Sequence, residues 1–133
     1  TAPFYIYSNP ITPAEAAAAH AAVDIVDSGE GLLLLEQMRA MGKRFEAGLN
    51  SLGFEFLSGA HPIVPLLVRD TGRTTKLVDY LFSHQILATG IKFPVVPHGD
   101  EEIRFQINAG LSESDIDEVL AMLKRFREEQ GVW

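Results

Sequence analysis

The 133-residue sequence contains no cysteine, which leaves no disulfide, no thiolate nucleophile and no cysteine-ligated zinc ribbon. Basic residues are few. Eleven Lys and Arg stand against 18 Asp and Glu, a formal net charge of −7, and no Lys/Arg cluster offsets it, which argues against a nucleic-acid surface. Long apolar runs are missing too: the longest tract is Leu32 to Leu35, far short of a membrane span. Thr1 to Pro10 has neither the basic start nor the apolar core of a secretory signal, so the expectation is a cytoplasmic protein. His20, His61, His84 and His98 fall in unrelated contexts without metal-ligand spacing, and His84, on an apolar helix face, reads as a core or boundary residue. No Gly-x-Ser-x-Gly elbow, Walker loop, Gly-x-Gly-x-x-Gly or His-Glu-x-x-His is present. Of the four lysines, Lys43, Lys76, Lys92 and Lys124, three sit on polar helix faces and none reads as a desolvated Schiff-base amine.

What is present is an ordinary globular composition, 47 % apolar and 22 % charged, in a chain long enough for one core. The chain opens on an aromatic, strand-like run at Phe4–Tyr7 that reads as the middle of something longer. Thr12-Pro13-Ala14-Glu15 is a capping box with proline at the first helical position, and an alanine-rich helix follows as far as Ser28-Gly29. A second helix is expected from about Glu30 to Leu52, with Leu35, Met38, Phe45, Leu49 and Leu52 at helical spacings and Gly53 as its C-terminal stop. Two strands, Phe54–Leu57 and Ile63–Val68, come next, with Pro65 marking an edge or a bulge. A third helix covers about Arg73 to His84, Ile86 to Phe93 is strand-like, Ile103 to Ala109 is a further strand, and Ser112-Glu113-Ser114-Asp115 opens a last helix with Ile116, Val119, Leu120, Leu123 and Phe126 as its apolar stripe. This order predicts an α+β layer in which helices cover one face of a small, mainly antiparallel sheet.

The segment Phe93-Pro94-Val95-Val96-Pro97-His98-Gly99 leads through three acids, Asp100, Glu101 and Glu102, that read as a solvated turn. In the strand beyond, Ile103, Phe105 and Ile107 alternate with Arg104, Gln106 and Asn108. One face packs and the other presents a guanidinium and two amides. A planar guanidinium on a rigid strand suits two-point recognition of a carboxylate, which makes Arg104 the candidate substrate-binding residue. A structural ion pair or a solvated strand face accounts for the same pattern.

Three segments together resemble the C-terminal part of the α-oxoamine synthases, pyridoxal-phosphate enzymes of the class II aminotransferase-like family. They are Pro3 to Ala14, His61-Pro62-Ile63-Val64-Pro65-Leu66, and Thr89 to Gly99 followed by Ile103 to Ala109. The Pro-Val-Val-Pro form is most similar to the glycine C-acetyltransferases, with the 8-amino-7-oxononanoate synthases close behind. The resemblance implies the small C-terminal domain of a fold-type I pyridoxal-phosphate enzyme, spanning residues 29–133. Residues 1–28 would pack on a large domain and a partner subunit. It also implies condensation of a small, glycine-like amino acid with an acyl-CoA, pyridoxal phosphate acting as electron sink. By position Arg104 would bind the amino-acid carboxylate. Ser8, otherwise a strand-end hydroxyl, would donate to the cofactor phosphate across a homodimer interface. Two departures leave the acyl-CoA open: Ala109 is followed by Gly110-Leu111-Ser112 instead of a His-Thr ending, and His98 stands where Lys is common.

The family's cofactor lysine, ring-stacking His and pyridine-nitrogen Asp find no counterpart here and would belong to a preceding domain. The expectation is therefore a fragment that is inactive alone and binds no cofactor, with residues 4–26 exposed for self-association. The alternative is a free-standing α+β binding module of shared ancestry.

Overall fold

The computed structural model describes residues 10–131. The strand-like run at Phe4–Tyr7 and the candidate Ser8 lie outside the described residues. Helices α1 (Pro13–Val26) and α2 (Gly29–Ser51) precede β1 (Ile63–Leu67), α3 (Thr71–Ser83), β2 (Thr89–Ile91), β3 (Glu102–Gln106) and α4 (Glu113–Gln130). Two compact units divide at Leu35/Glu36.

In the first unit the capping box forms as its sequence requires: Glu15 N–H donates to the Thr12 hydroxyl, and Thr12 N–H donates to the Glu15 carboxylate at 2.7 Å. No residue of α1 is buried, as its alanines on every side foreshadow. At the turn into α2, the Ser28 hydroxyl donates to Ile25 O and accepts from Gly31 N. Position 31 admits only glycine, because a Cβ there would lie 2.4 Å from the carbonyl oxygens of Ile25 and Val26.

In the second unit the sheet order is β1-β3-β2, antiparallel throughout. Val64, Leu66, Ile103 and Phe105 point from one face of the sheet into a core completed by Met41, Phe45 and Leu49 of α2, Leu77 and Leu81 of α3, and Ile116, Leu123 and Phe126 of α4. Phe45 meets Phe105 edge to face, ring centroids 5.0 Å apart. Met41, and not Leu35, extends the buried stripe of α2. Gly90 lets β2 close on α3, since a Cβ there would stand 2.8 Å from a Val78 methyl and 3.0 Å from a Thr74 methyl. His84 caps α3 with its ring over Tyr80 and its Nδ1 2.8 Å from Tyr80 O, the boundary role expected of it.

The expected strand Ile63–Val68 ends one residue early, at Leu67, and the other three fall further short of their sequence pattern. Phe54–Leu57 contributes only a bridge at Phe56↔Leu66, flanked by bonds from Leu57 N to Pro65 O and from Leu67 N to Glu55 O. Pro65 has no N–H to return the bond to Leu57, so the pairing stops there. Ile86 is absorbed by the end of α3: its N–H bonds Leu81 O while Gln85, at φ 64°, bonds Phe82 O, a Schellman closure made without glycine. Beyond Ile107, whose N–H bonds Pro62 O, the chain turns as Gly110 N–H donates to the Asn108 side chain.

Candidate functional site

Arg104 lies at the middle of β3, the central strand, opposite Pro65 on β1 and Thr89 on β2. Its backbone is held from both sides while its side chain, on the face away from the core, is about half exposed. The Arg104 Nε–H donates to Glu102 Oε1 at 2.5 Å. Glu102 shares that face, two residues earlier, and its own side chain is only 9 % exposed. The pair is charge-assisted and occupies one edge of the guanidinium. The two Nη groups have no partner among the described residues. The ion-pair reading of Arg104 is realised through Nε alone, and the two Nη groups stay open at the half-exposed end of the side chain.

The neighbouring amides do not share the role equally. Gln106 is exposed on the same face, whereas Asn108 spends its carbonyl oxygen on Gly110 N–H. The expectation of a solvated acidic turn is corrected for two of its three residues. Glu101 is 1 % and Glu102 6 % exposed; only Asp100 remains at the surface. Glu101 is buried because donors converge on it. The Thr71 hydroxyl reaches Oε1 at 2.7 Å and Gly99 N–H reaches Oε2 at 2.8 Å, with His98 Nδ1 3.4 Å from Oε1. The Thr71 bond, then the backbone N–H groups of Glu101 and Gly99 and the His98 contact, bring its carboxyl down to about 2 against the upward push of burial.

The backbone of Glu101 is a second anchor. Its carbonyl accepts both Val68 N–H at 2.8 Å and Arg69 N–H at 2.9 Å. Arg69, held at φ 60°, spreads its guanidinium over the Glu55 carboxylate and donates from Nη1 to Gly99 O at 3.1 Å. These bonds pin the Phe93–Asp100 loop beside the N-terminus of α3. Within the loop, Phe93 and His98 stack with centroids 4.2 Å apart and planes 10° from parallel. The sequence reading missed Glu101, Glu102 and Arg69. Parity along β3 was the available signal for Glu102, which alternates in step with Arg104. Arg69 meets Glu55 and Gly99, and Glu101 meets Thr71, only through tertiary contacts.

The described residues fit a carboxylate-binding role and do not by themselves fit a pyridoxal-phosphate site. Lys43, Lys76, Lys92 and Lys124 are all exposed, and Lys92 Nζ donates to Thr75 Oγ1 at 2.9 Å, so none offers a desolvated amine. Among the described residues no group of three or more His, Asp or Glu could hold a metal ion, and no helix is long and apolar enough to cross a membrane.

Residues 1–123 match the family model for aminotransferase class I and II. The chain is 35 % identical over 123 residues to the 8-amino-7-oxononanoate synthase of Marinobacter nauticus, covering 92 % of this chain and 31 % of that protein. It is 33 % identical over 113 residues to the mitochondrial 2-amino-3-ketobutyrate coenzyme A ligase of Homo sapiens, covering 85 % of this chain and 26 % of that one. Among solved structures, serine palmitoyltransferase with its pyridoxal-phosphate internal aldimine superposes with a TM-score of 0.69 at 21 % identity, over 74 % of this chain and 25 % of the other, which shows the shared fold. The chain spans between a quarter and a third of the length of the curated relatives it matches. On this agreement of family model, relatives and fold, the chain belongs to the class I and II aminotransferase family, among its pyridoxal-phosphate-dependent α-oxoamine synthases.

Proposed function

We propose that this chain is the C-terminal part of a pyridoxal-phosphate-dependent acyltransferase that joins a small, glycine-like amino acid to an acyl-CoA, and that Arg104 binds the amino-acid carboxylate. The observation that carries this reading is the Arg104 fork: Nε is committed to Glu102, both Nη groups are open, and the residue sits on the central strand of the three-stranded sheet. A carboxylate docking on that edge gains two parallel charge-assisted bonds, and the held Nε fixes the plane in which they form. Pyridoxal phosphate, when bound, supplies the stabilisation of negative charge on the amino-acid carbon. This chain's part is to bind and orient the substrate.

Ser8 belongs to the same proposal as a donor to the cofactor phosphate from the partner subunit of a homodimer. Residues 1–28 would rest on the large domain of the parent and on that subunit, with residues 29–133 forming the small domain. Exposed apolar side chains at Ile11, Val23 and Val26, 71 %, 65 % and 74 % exposed, support a covered role for this segment and self-association of the chain alone. Small soluble substrates of this kind fit a cytoplasmic setting.

With its four lysines exposed, the isolated chain should be inactive. Incubation with pyridoxal phosphate followed by borohydride tests this. The expected result is no saturable absorbance band and no labelled lysine. Stoichiometric labelling of one lysine would overturn it, and a reading frame upstream of Thr1 that lacks a cofactor lysine would overturn the reading of this chain as part of such an enzyme.

A further inference from the structure

We propose that the groove between α2 and the Gly59–Pro62 segment is a binding site for an organic phosphate ester with a small, largely apolar body. The cavity encloses about 320 Å³, a size that holds a small organic molecule and exceeds what a bare phosphate fills. Arg39 and Lys43 stand on one rim at i and i+4, so their side chains rise side by side from one helix face. Neither has a hydrogen-bond or ion-pair partner among the described residues.

His61 lines the opposite rim. Its Nδ1 accepts from Ile63 N–H at 3.2 Å, which places the proton of the neutral ring on Nε2 and makes that atom a donor. The one carboxylate in the groove, Glu46, is already engaged, accepting from the Ser58 hydroxyl at 2.9 Å and from Gly59 N–H at 3.4 Å. The groove therefore offers three donors, two of them cationic, against the single charge of Glu46, whose hydrogen bonds are made, a formal balance of +1 that suits an anionic group in a chain of net charge −7. Met38 and Val64 give the lining an apolar part for the rest of the ligand.

Gly42 points the same way. It sits within α2, where glycine is a poor helix former, and a Cβ there would meet no atom within 4 Å. Packing does not demand glycine at this position; its effect is to leave the groove open. This inference stands on α2 and the Gly59–Pro62 segment and does not depend on the role proposed for Arg104.

The test is a two-dimensional NMR titration of the chain with phenyl phosphate, pantetheine 4′-phosphate and inorganic phosphate at constant ionic strength. Saturable shifts confined to residues 38–46 and 59–64 are expected with at least one organic phosphate, at a concentration about tenfold below that needed with inorganic phosphate. The body of the tighter of the two identifies the ligand type. R39Q/K43Q should weaken binding by about tenfold or more, the loss expected for charge-assisted bonds. G42L keeps both charges, favours the helix and fills the groove, so it should abolish the preference for the organic phosphates. Absence of saturable shifts, equal response to inorganic phosphate, or binding unchanged in both variants would overturn the proposal.

Discussion

Glu102 Oε1 accepts from Arg104 Nε at 2.5 Å, and the two residues are neighbours on one face of the same strand. Glu102 is itself almost fully buried, so it acts as a fixed brace and not as a mobile counter-ion. Glu102→Ala should release the guanidinium while leaving its charge. The expected outcome is loss of the protected Arg104 Nε–H signal in NMR spectra of the chain, with the Phe105 and Ile103 amides unshifted. An Nε–H that stays protected in the variant would show that the brace lies elsewhere.

Glu101 gives the fold a pH signature. Its carboxyl is held at about 2 in the folded chain against an ordinary value of 4.5. A depressed carboxyl stabilises the folded state fully above pH 4.5, and that contribution is lost as pH falls towards 2. Glu55, Asp115 and Asp117 are shifted in the same direction, Glu55 by Arg69, Asp115 by Ser112 and Asp117 by Arg44. Urea unfolding of the wild type and Glu101→Gln across pH 2–7 should show the largest gap above pH 5 and a closing gap below pH 4. A pH-independent gap would assign the effect of Glu101 to shape alone.

Gly90 tests how tightly β2 seats against α3. The Val78 and Thr74 methyls that a Cβ would strike belong to β-branched side chains with little rotamer freedom. Gly90→Ala should cost about 1–3 kcal/mol, the usual range for overpacking. Denaturant midpoints measure it; a neutral or stabilising result would mean that β2 can lift away without loss.

Much of this architecture was legible in the sequence because short-range signals agreed. The two capping boxes at Thr12 and Ser112 form, and the stripe Ile116, Leu123, Phe126 is buried. Alternation at Ile103, Phe105 and Ile107 put Arg104 on the outer face of the sheet, as observed. Strand ends were not legible where proline chemistry or a helix cap intervened, at Pro65 and at Ile86. The acids at 101 and 102 misled for a related reason. Local composition favours a solvated turn, and the one long-range donor on the Glu101 carboxylate among the described residues, the Thr71 hydroxyl, lies 30 residues away in sequence.

The central claim is that the open edge of Arg104 receives the amino-acid carboxylate, and steady-state kinetics of the polypeptide encoded by the whole reading frame test it most directly. Arg104→Ala should raise KM for the amino acid by about 10–100-fold, the loss expected for charge-assisted bonds of this kind, with KM for the acyl-CoA unchanged. Arg104→Lys should recover only part of that, because a point charge cannot form two parallel bonds. An amino-acid KM indifferent to both substitutions would contradict the account.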